Sequence, residues 1–220
     1  MTSRTSAFAQ WRYSAAAVFA ASVLVLSACN GGGSPQGTGG ASESAAASAS
    51  ASPSPSATPT PSAVYKPADA KGKAQNVPVP VLPDAAKAET KEGLEAFAKY
   101  WYSLLNYAFE TGDLERLKAV TGTPCAMCDK IFPGIEKWNA GGRWVVGAKI
   151  TVQAAQTKFV ETGPNEFQVV IQSQQGAGTL HNADGSVGQT VSESAMLGDI
   201  MVAKYDGGSW RTLNVDRLGG

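Results

Sequence analysis

Two of the chain's three cysteines, Cys125 and Cys128, lie three residues apart in the segment "TPCAMC". Such a pair can act as a redox dithiol, supply half of a zinc site or form a small structural disulfide. Zinc takes four ligands in structural sites, and the chain offers no second cysteine pair and only one histidine, His181. The sequence therefore predicts no metal site, and the choice lies between redox chemistry and a structural bond.

The third cysteine, Cys29, ends the sequence "LSAC" behind a segment typical of an export signal. Arg4 and Arg12 make that segment basic, and its apolar run, residues 14–26, is shorter than the roughly 20 residues that a membrane-spanning helix needs. "LSAC" resembles the lipobox of bacterial lipoproteins, which implies that the sulfur of Cys29 carries lipid. We therefore predict a lipoprotein signal peptide at 1–28 and a lipid anchor on the extracytoplasmic face of the cell membrane.

Residues 29–63 begin with the lipidated Cys29 and continue almost entirely as Gly, Ser, Ala, Pro and Thr, with Glu43 as the only charge. Such a composition buries too little apolar surface to offset the entropy of ordering, so we predict a disordered tether. Residues 64–83 contain Pro78, Pro80 and Pro83, which exclude a central strand and predict an extended lead-in. Residues 84–220 have the length of one globular domain.

The charge balance excludes one class of partner. The chain has 18 basic and 18 acidic residues, and loss of Arg4 and Arg12 with the signal peptide leaves 16 basic ones. A chain without a basic surplus has no electrostatic footprint for nucleic acid. The predicted partners are therefore the membrane, through the lipid, and an unknown protein or small molecule.

The first half of the domain has a helical period. Apolar residues recur every three or four positions over 90–110, and Gly112 follows as a stop signal. Glu95 and Lys99 have the spacing of an i, i+4 ion pair on the solvent-exposed face of this helix. A second short helix follows Asp113, and Thr123 with Pro124 has the pattern that caps a third.

The second half changes to a period of two, which indicates strands. One long strand is predicted from Trp144 to about residue 154, and a second begins at Phe167. A turn at 182–185 leads into a third strand over 187–205 with a bulge at Gly198, and "SWRTLNVDRL" forms the fourth. The predicted fold is α+β, with three N-terminal helices packed on a curved antiparallel four-stranded meander.

Several unusual segments occur in an order that resembles a family of actinobacterial lipoproteins with a C-terminal domain of unknown function. They are "NVPVPVLP", "GLEAFAKYWYSLLNYAFETGDLERL", the cysteine pair and "GGRWVV". The resemblance covers about residues 64–220 and implies a surface lipoprotein without an assigned activity or site. The helix order and the bent sheet also resemble the cystatin-like cone fold of the nuclear transport factor 2 superfamily. That fold hosts enzymes, binding modules and scaffolds alike.

A structural disulfide is the expected state of Cys125 and Cys128 in an exported chain whose third cysteine carries lipid. For a loop of four residues the chain-entropy formula gives a stabilisation of about 2 kcal/mol. The redox alternative remains open because a helix N-terminus lowers a thiol pKa. However, a thioredoxin-like site needs a strand before the pair and a parallel βαβ unit, and helices precede this one.

The aromatic segment of the first helix offers a possible cavity. Its lining would be Tyr100, Trp101, Tyr107 and Trp138, whereas His181 is expected to be solvated in a turn. No catalytic residue set and no cofactor motif are predicted. We expect a non-catalytic domain that binds a ligand or partner. The alternatives are a thiol-disulfide oxidoreductase that uses the cysteine pair and an enzyme that acts in the cone cavity.

Overall fold

The computed structural model describes residues 63–219. The predicted signal peptide, the predicted lipidation site at Cys29 and almost all of the predicted tether lie outside these residues. None of the helices in the described range has the length and apolar content that a membrane crossing requires.

Three α-helices and eight strands make up residues 63–219. The helices are α1 Lys91–Thr111, α2 Glu115–Ala119 and α3 Cys128–Asn139, with 3-10 turns at Asp84–Lys87 and Ala140–Gly142. The strands are β1 Trp144–Gly147, β2 Ile150–Gln156, β3 Glu161–Gly163, β4 Glu166–Gln175, β5 Gly178–His181, β6 Val187–Val191, β7 Leu197–Asp206 and β8 Ser209–Arg217.

Helix α1 forms where the helical period predicted it. The Thr90 hydroxyl accepts a hydrogen bond from Gly93 N and caps the first turn, and Gly112 ends the helix at φ 81°. One stripe of the helix is buried against the sheet. It consists of Leu94, Phe97, Ala98, Trp101, Tyr102, Leu104, Leu105 and Ala108.

The predicted four-stranded meander of a cystatin-like cone is wrong. The strands form two antiparallel sheets, one of five strands in the order β2-β4-β7-β8 with β3 on β4, and one of three in the order β1-β5-β6. Three of the four predicted strands are interrupted, at residues 148–149, 176–177 and 192–196, and β3 had not been predicted. The chain is α+β, but it turns from one sheet into the other at each interruption.

The first interruption has a local cause. Gly147 and Ala148 both adopt positive φ, at 70° and 54°, so the strand leaves the β conformation there. Opposite them, a Cβ on Gly178 would overlap the backbone of Val146 and Ala148. Only glycine permits this close approach, and the sheet bends at that point.

Backbone pairing also begins before the helices, in the segment predicted as a plain lead-in. Lys66 pairs with Gln75 and Asp69 with Gly72, so residues 66–75 fold back on themselves. The Trp144 indole donates to Asp69 O at 2.8 Å and holds this hairpin on the domain. The folded domain therefore includes the lead-in.

Both edges of the five-stranded sheet are covered by side chains or backbone. At β2, Asn106 on α1 donates to Ile150 O at 2.7 Å and accepts from Ile150 N at 2.8 Å, as a neighbouring strand would. Further along, Glu95 Oε1 accepts from Thr157 N at 3.1 Å. The predicted Glu95–Lys99 ion pair is not made.

At β8 the chain itself covers the edge. Gly122 N donates to Thr212 O and Met127 N donates to Val215 O, while the side chain of Asn214 accepts from Ala126 N. Residues 120–127, which include Cys125, therefore run beside the last strand.

The position of the predicted bulge on the third strand is also wrong. Gly198 pairs regularly with Gln172, and the register shift lies between Val202 and Ala203, opposite β8. The inward position beside Gly198 is taken by Asp199, which is fully buried. Ile200 consequently faces outward.

Replacement of Asn106 by alanine tests the covered edge. The variant leaves Ile150 N and O without partners at a half-buried site, so the free energy of unfolding should fall by about 1–3 kcal/mol in urea denaturation. Ser103→Ala on the same helix is the matched control, because the Ser103 hydroxyl bonds only to Tyr100 O within α1. Equal stability losses in the two variants would contradict the edge-covering role.

Candidate functional site

The structure joins Cys125 and Cys128 by a disulfide. The two residues are only 1% and 3% exposed. Helix α3 begins at Cys128, so the predicted cap at Thr123 is wrong, and Cys125 lies ahead of the helix with its carbonyl accepting from Asp129 N. A sulfur enclosed in this way is out of reach of a second thiol, and thiol-disulfide exchange requires such contact.

The four aromatic residues predicted to line a cavity do not meet. Trp101 is fully buried and donates to Thr121 Oγ1 at 2.9 Å, whereas Tyr100 lies half-buried at a surface pocket of about 380 Å³. Tyr107 is half-buried on α1, and Trp138 donates to the carbonyl of Trp144. The space between α1 and the sheet is filled by a single apolar cluster.

The prediction of a solvated His181 is also wrong. The residue is 4% exposed, and its ring stacks on Trp144 with centroids 5.1 Å apart. Nδ1 donates to Gly185 O at 3.1 Å, because a carbonyl can only accept, and Nε2 lies 2.9 Å from Thr179 Oγ1. Nδ1 thus holds the turn after β5, and Nε2 is engaged within the strand itself.

A buried polar network surrounds Asp199. Its Oδ2 accepts from Tyr102 OH at 2.7 Å and from Ser173 Oγ at 3.1 Å, and its Oδ1 accepts from Arg217 Nε at 2.6 Å. Burial, followed by the hydrogen bond to Asp199, raises the pKa of Tyr102 well above its usual range. Every partner of the carboxylate is a donor, so the buried charge is compensated within the core and the cluster offers no unsatisfied group to a substrate.

A smaller cluster fastens the lead-in to α1. Tyr65 OH donates to Glu110 Oε1, and Lys149 Nζ lies 3.5 Å from Glu110 Oε2. Burial raises the pKa of Tyr65, with the bond to Glu110 adding to the effect. The adjoining cavity is small, about 160 Å³, and Pro67 and Ala68 of the lead-in form part of its lining.

A groove of about 1000 Å³ lies between the first half of α1 and the end of β2. We call it the α1–β2 groove. Its lining comprises Lys91, Glu95, Lys99, Ala154, Ala155, Gln156, Thr157, Lys158, Phe159, Val160, Thr162, Gln168 and Val170. It combines an apolar patch with a rim of lysines.

The groove has an excess of positive charge. Lys91, Lys99 and Lys158 are all exposed, and none of them has a carboxylate within 4.0 Å in the described part of the chain. Glu95 is the only acid in the lining, and it is turned toward Thr157 N. Val160 and Val170 remain 64% and 43% exposed. Sequence periodicity gave no sign of this site, because its residues come from the polar faces of separate elements.

A family model described as a family of unknown function matches residues 63–216. The chain belongs to the DUF6318 family. The DUF6318 region contains the lead-in hairpin, the disulfide and the whole α1–β2 groove. No curated protein matches the chain. In residues 63–219, no three His, Cys, Asp or Glu side chains are grouped as metal ligands.

The raised pKa of Tyr102 predicts how stability depends on pH. A tyrosine whose pKa is higher in the folded state stabilises the fold fully below its unfolded pKa, near 10, and this contribution is lost as the pH rises. Above about pH 10 the free energy of unfolding of the wild type should fall by an extra amount of about 1.4 kcal/mol per pH unit.

The Tyr102→Phe variant should lack this component. It should be less stable than the wild type at pH 7, because Asp199 loses a donor, and the gap should narrow between pH 10 and pH 11. Urea denaturation at each pH measures both quantities. A gap that stays constant or widens above pH 10 would contradict the assignment.

Proposed function

We propose that the protein is a lipoprotein, held through Cys29 on the extracytoplasmic face of the membrane, whose DUF6318 domain binds a partner in the α1–β2 groove. The basic, apolar leader that ends in "LSAC" supports the anchor. Two acyl chains on the cysteine give lasting attachment, since burial contributes about 0.8 kcal/mol per methylene. The observation that carries the binding role is the groove itself, with three lysines beside exposed valines.

The attachment point of the lead-in leaves the groove accessible. Tyr65 is fastened to Glu110, in the last turn of α1, whereas Lys91 and Lys99 lie in its first half. At 1.5 Å per residue, Lys99 and Glu110 are separated by about 16 Å along the helix. A partner in the groove would therefore not compete with the start of the lead-in, whereas the end of the lead-in, at Val81 and Pro83, lies beside Glu95 and Lys99.

Binding suits the groove better than catalysis. General acid-base catalysis needs a titratable group positioned within hydrogen-bond reach of the reacting atom and with a pKa suited to the proton transfer. The groove lining has one carboxylate, Glu95, and its Oε1 already accepts a backbone hydrogen bond. Lysines at the rim attract and orient an anionic partner.

Metabolic labelling with an alkynyl fatty acid tests the anchor. The wild-type protein should incorporate the label, and Cys29→Ser should abolish it, because the acyl chains depend on that sulfur. Cys128→Ser is the matched control and should be labelled as the wild type is. Label on the Cys29→Ser protein, or none on the wild type, would refute the proposed anchor.

Site-directed photocrosslinking on intact cells tests the binding role. Benzoylphenylalanine in place of Lys99 should give a discrete higher-mass adduct, because this position faces the bound partner. The same residue in place of Lys130, exposed on α3 outside the groove, is the control and should give none. The proposal fails if Lys99 yields no adduct or if both positions yield the same one.

A further inference from the structure

The lysines of the α1–β2 groove converge from two elements. Lys91 and Lys99 lie eight residues apart on α1, which places them about 12 Å apart along the helix. Lys158 approaches from the loop after β2. A cationic rim of this length exceeds what a single small anion can span.

Glu95 lies between the two helix lysines in sequence and has the spacing to pair with either of them. Its carboxylate instead accepts from Thr157 N at 3.1 Å. This bond fixes the start of the loop that carries Lys158. The lining therefore contains three lysines against one acid, and the acid is held against the strand.

The groove also has an apolar part. Val160, in the loop that follows β2, and Val170, on the outer face of β4, are among the large apolar residues that remain exposed in the described chain. Ala154 lies in the same lining. A complementary occupant needs acidic groups for the rim and at least one apolar group for these side chains.

We infer that the α1–β2 groove binds an extended, acidic polypeptide segment of a partner protein, with carboxylates on either side of an apolar residue. This inference rests on the proposed function of the groove as a binding site. An extended chain rises about 3.3 Å per residue, so about four residues span the distance from Lys91 to Lys99. Opposite charges across such a contact speed association and select the partner.

An anionic membrane surface is a poorer match. Sequences that bind such surfaces typically cluster four to eight basic residues, and here three lysines line a concave groove that includes an acid. A polypeptide can enter the groove and place its side chains on both walls.

The test uses the full-length protein in detergent micelles and fluorescence anisotropy with two labelled peptides, GEEVVEEG and its uncharged counterpart GQQVVQQG. The acidic peptide should bind, and its affinity should fall severalfold between 50 and 300 mM salt, since exposed charges are screened. The glutamine peptide should bind at least about tenfold more weakly.

Two triple variants with the same change in net charge distinguish binding in the groove from nonspecific attraction between the peptide and the whole protein. K91E/K99E/K158E should weaken binding of the acidic peptide by about tenfold or more. K73E/K130E/K204E alters lysines outside the groove lining and should stay within about twofold of the wild type. Substitution of the three groove lysines by glutamine provides a second groove variant if charge reversal lowers the melting temperature.

Three results would overturn the inference: equal binding of the two peptides, equal weakening by the two triple variants, or tighter binding to phosphatidylglycerol vesicles than to the acidic peptide. The photocrosslink at position 99 separates this failure from failure of the proposed function. An adduct without peptide binding means that the ligand class is wrong, whereas loss of both means that the groove is not a binding site.

Discussion

The open edges of the five-stranded sheet are the constraint on which the rest of this structure depends. An open sheet leaves a row of unpaired backbone groups at each edge, and proteins must cover or pair them. Here Asn106 takes the place of a neighbouring strand at Ile150, and residues 120–127 run along β8. The first of these contacts fixes where α1 lies on the sheet, and hence which of its side chains form the core.

The residue types most suited to chemistry lie in structural positions. Cys125 precedes α3 in the segment that covers β8. Its disulfide bond to Cys128 joins that segment to the start of α3, and both cysteines belong to the core. His181 holds a turn against Trp144, and Asp199 accepts three hydrogen bonds beneath the sheet. These three residues have structural roles, and the exposed lysines of the α1–β2 groove are the ones to which we assign the proposed binding.

Local patterns predicted what depends on local contacts. Helix α1 and its end at Gly112 were predicted correctly, because both depend on residues close together in the chain. The sheet topology was predicted wrongly, because the alternation of apolar and polar side chains continues across a bend. Val146 and Ile150 fit the pattern of one strand, although the chain turns at Gly147. The burial of His181 depends on a strand paired across the sheet, and a single sequence does not reveal that pairing.

The sequence did not predict the groove, and a comparison of two interaction energies at Glu95 explains why. The spacing of Glu95 and Lys99 predicts an ion pair, but such pairs stabilise a helix by only about 0.2–0.5 kcal/mol. A buried backbone donor without a partner costs about 1–3 kcal/mol, and Thr157, 62 residues further along the chain, presents such a donor at the end of β2. Glu95 therefore bonds to the strand edge, and Lys99 is left without a carboxylate. The edge that had to be covered thus shaped the cationic groove, because the acid that could have paired with Lys99 bonds to the strand edge instead.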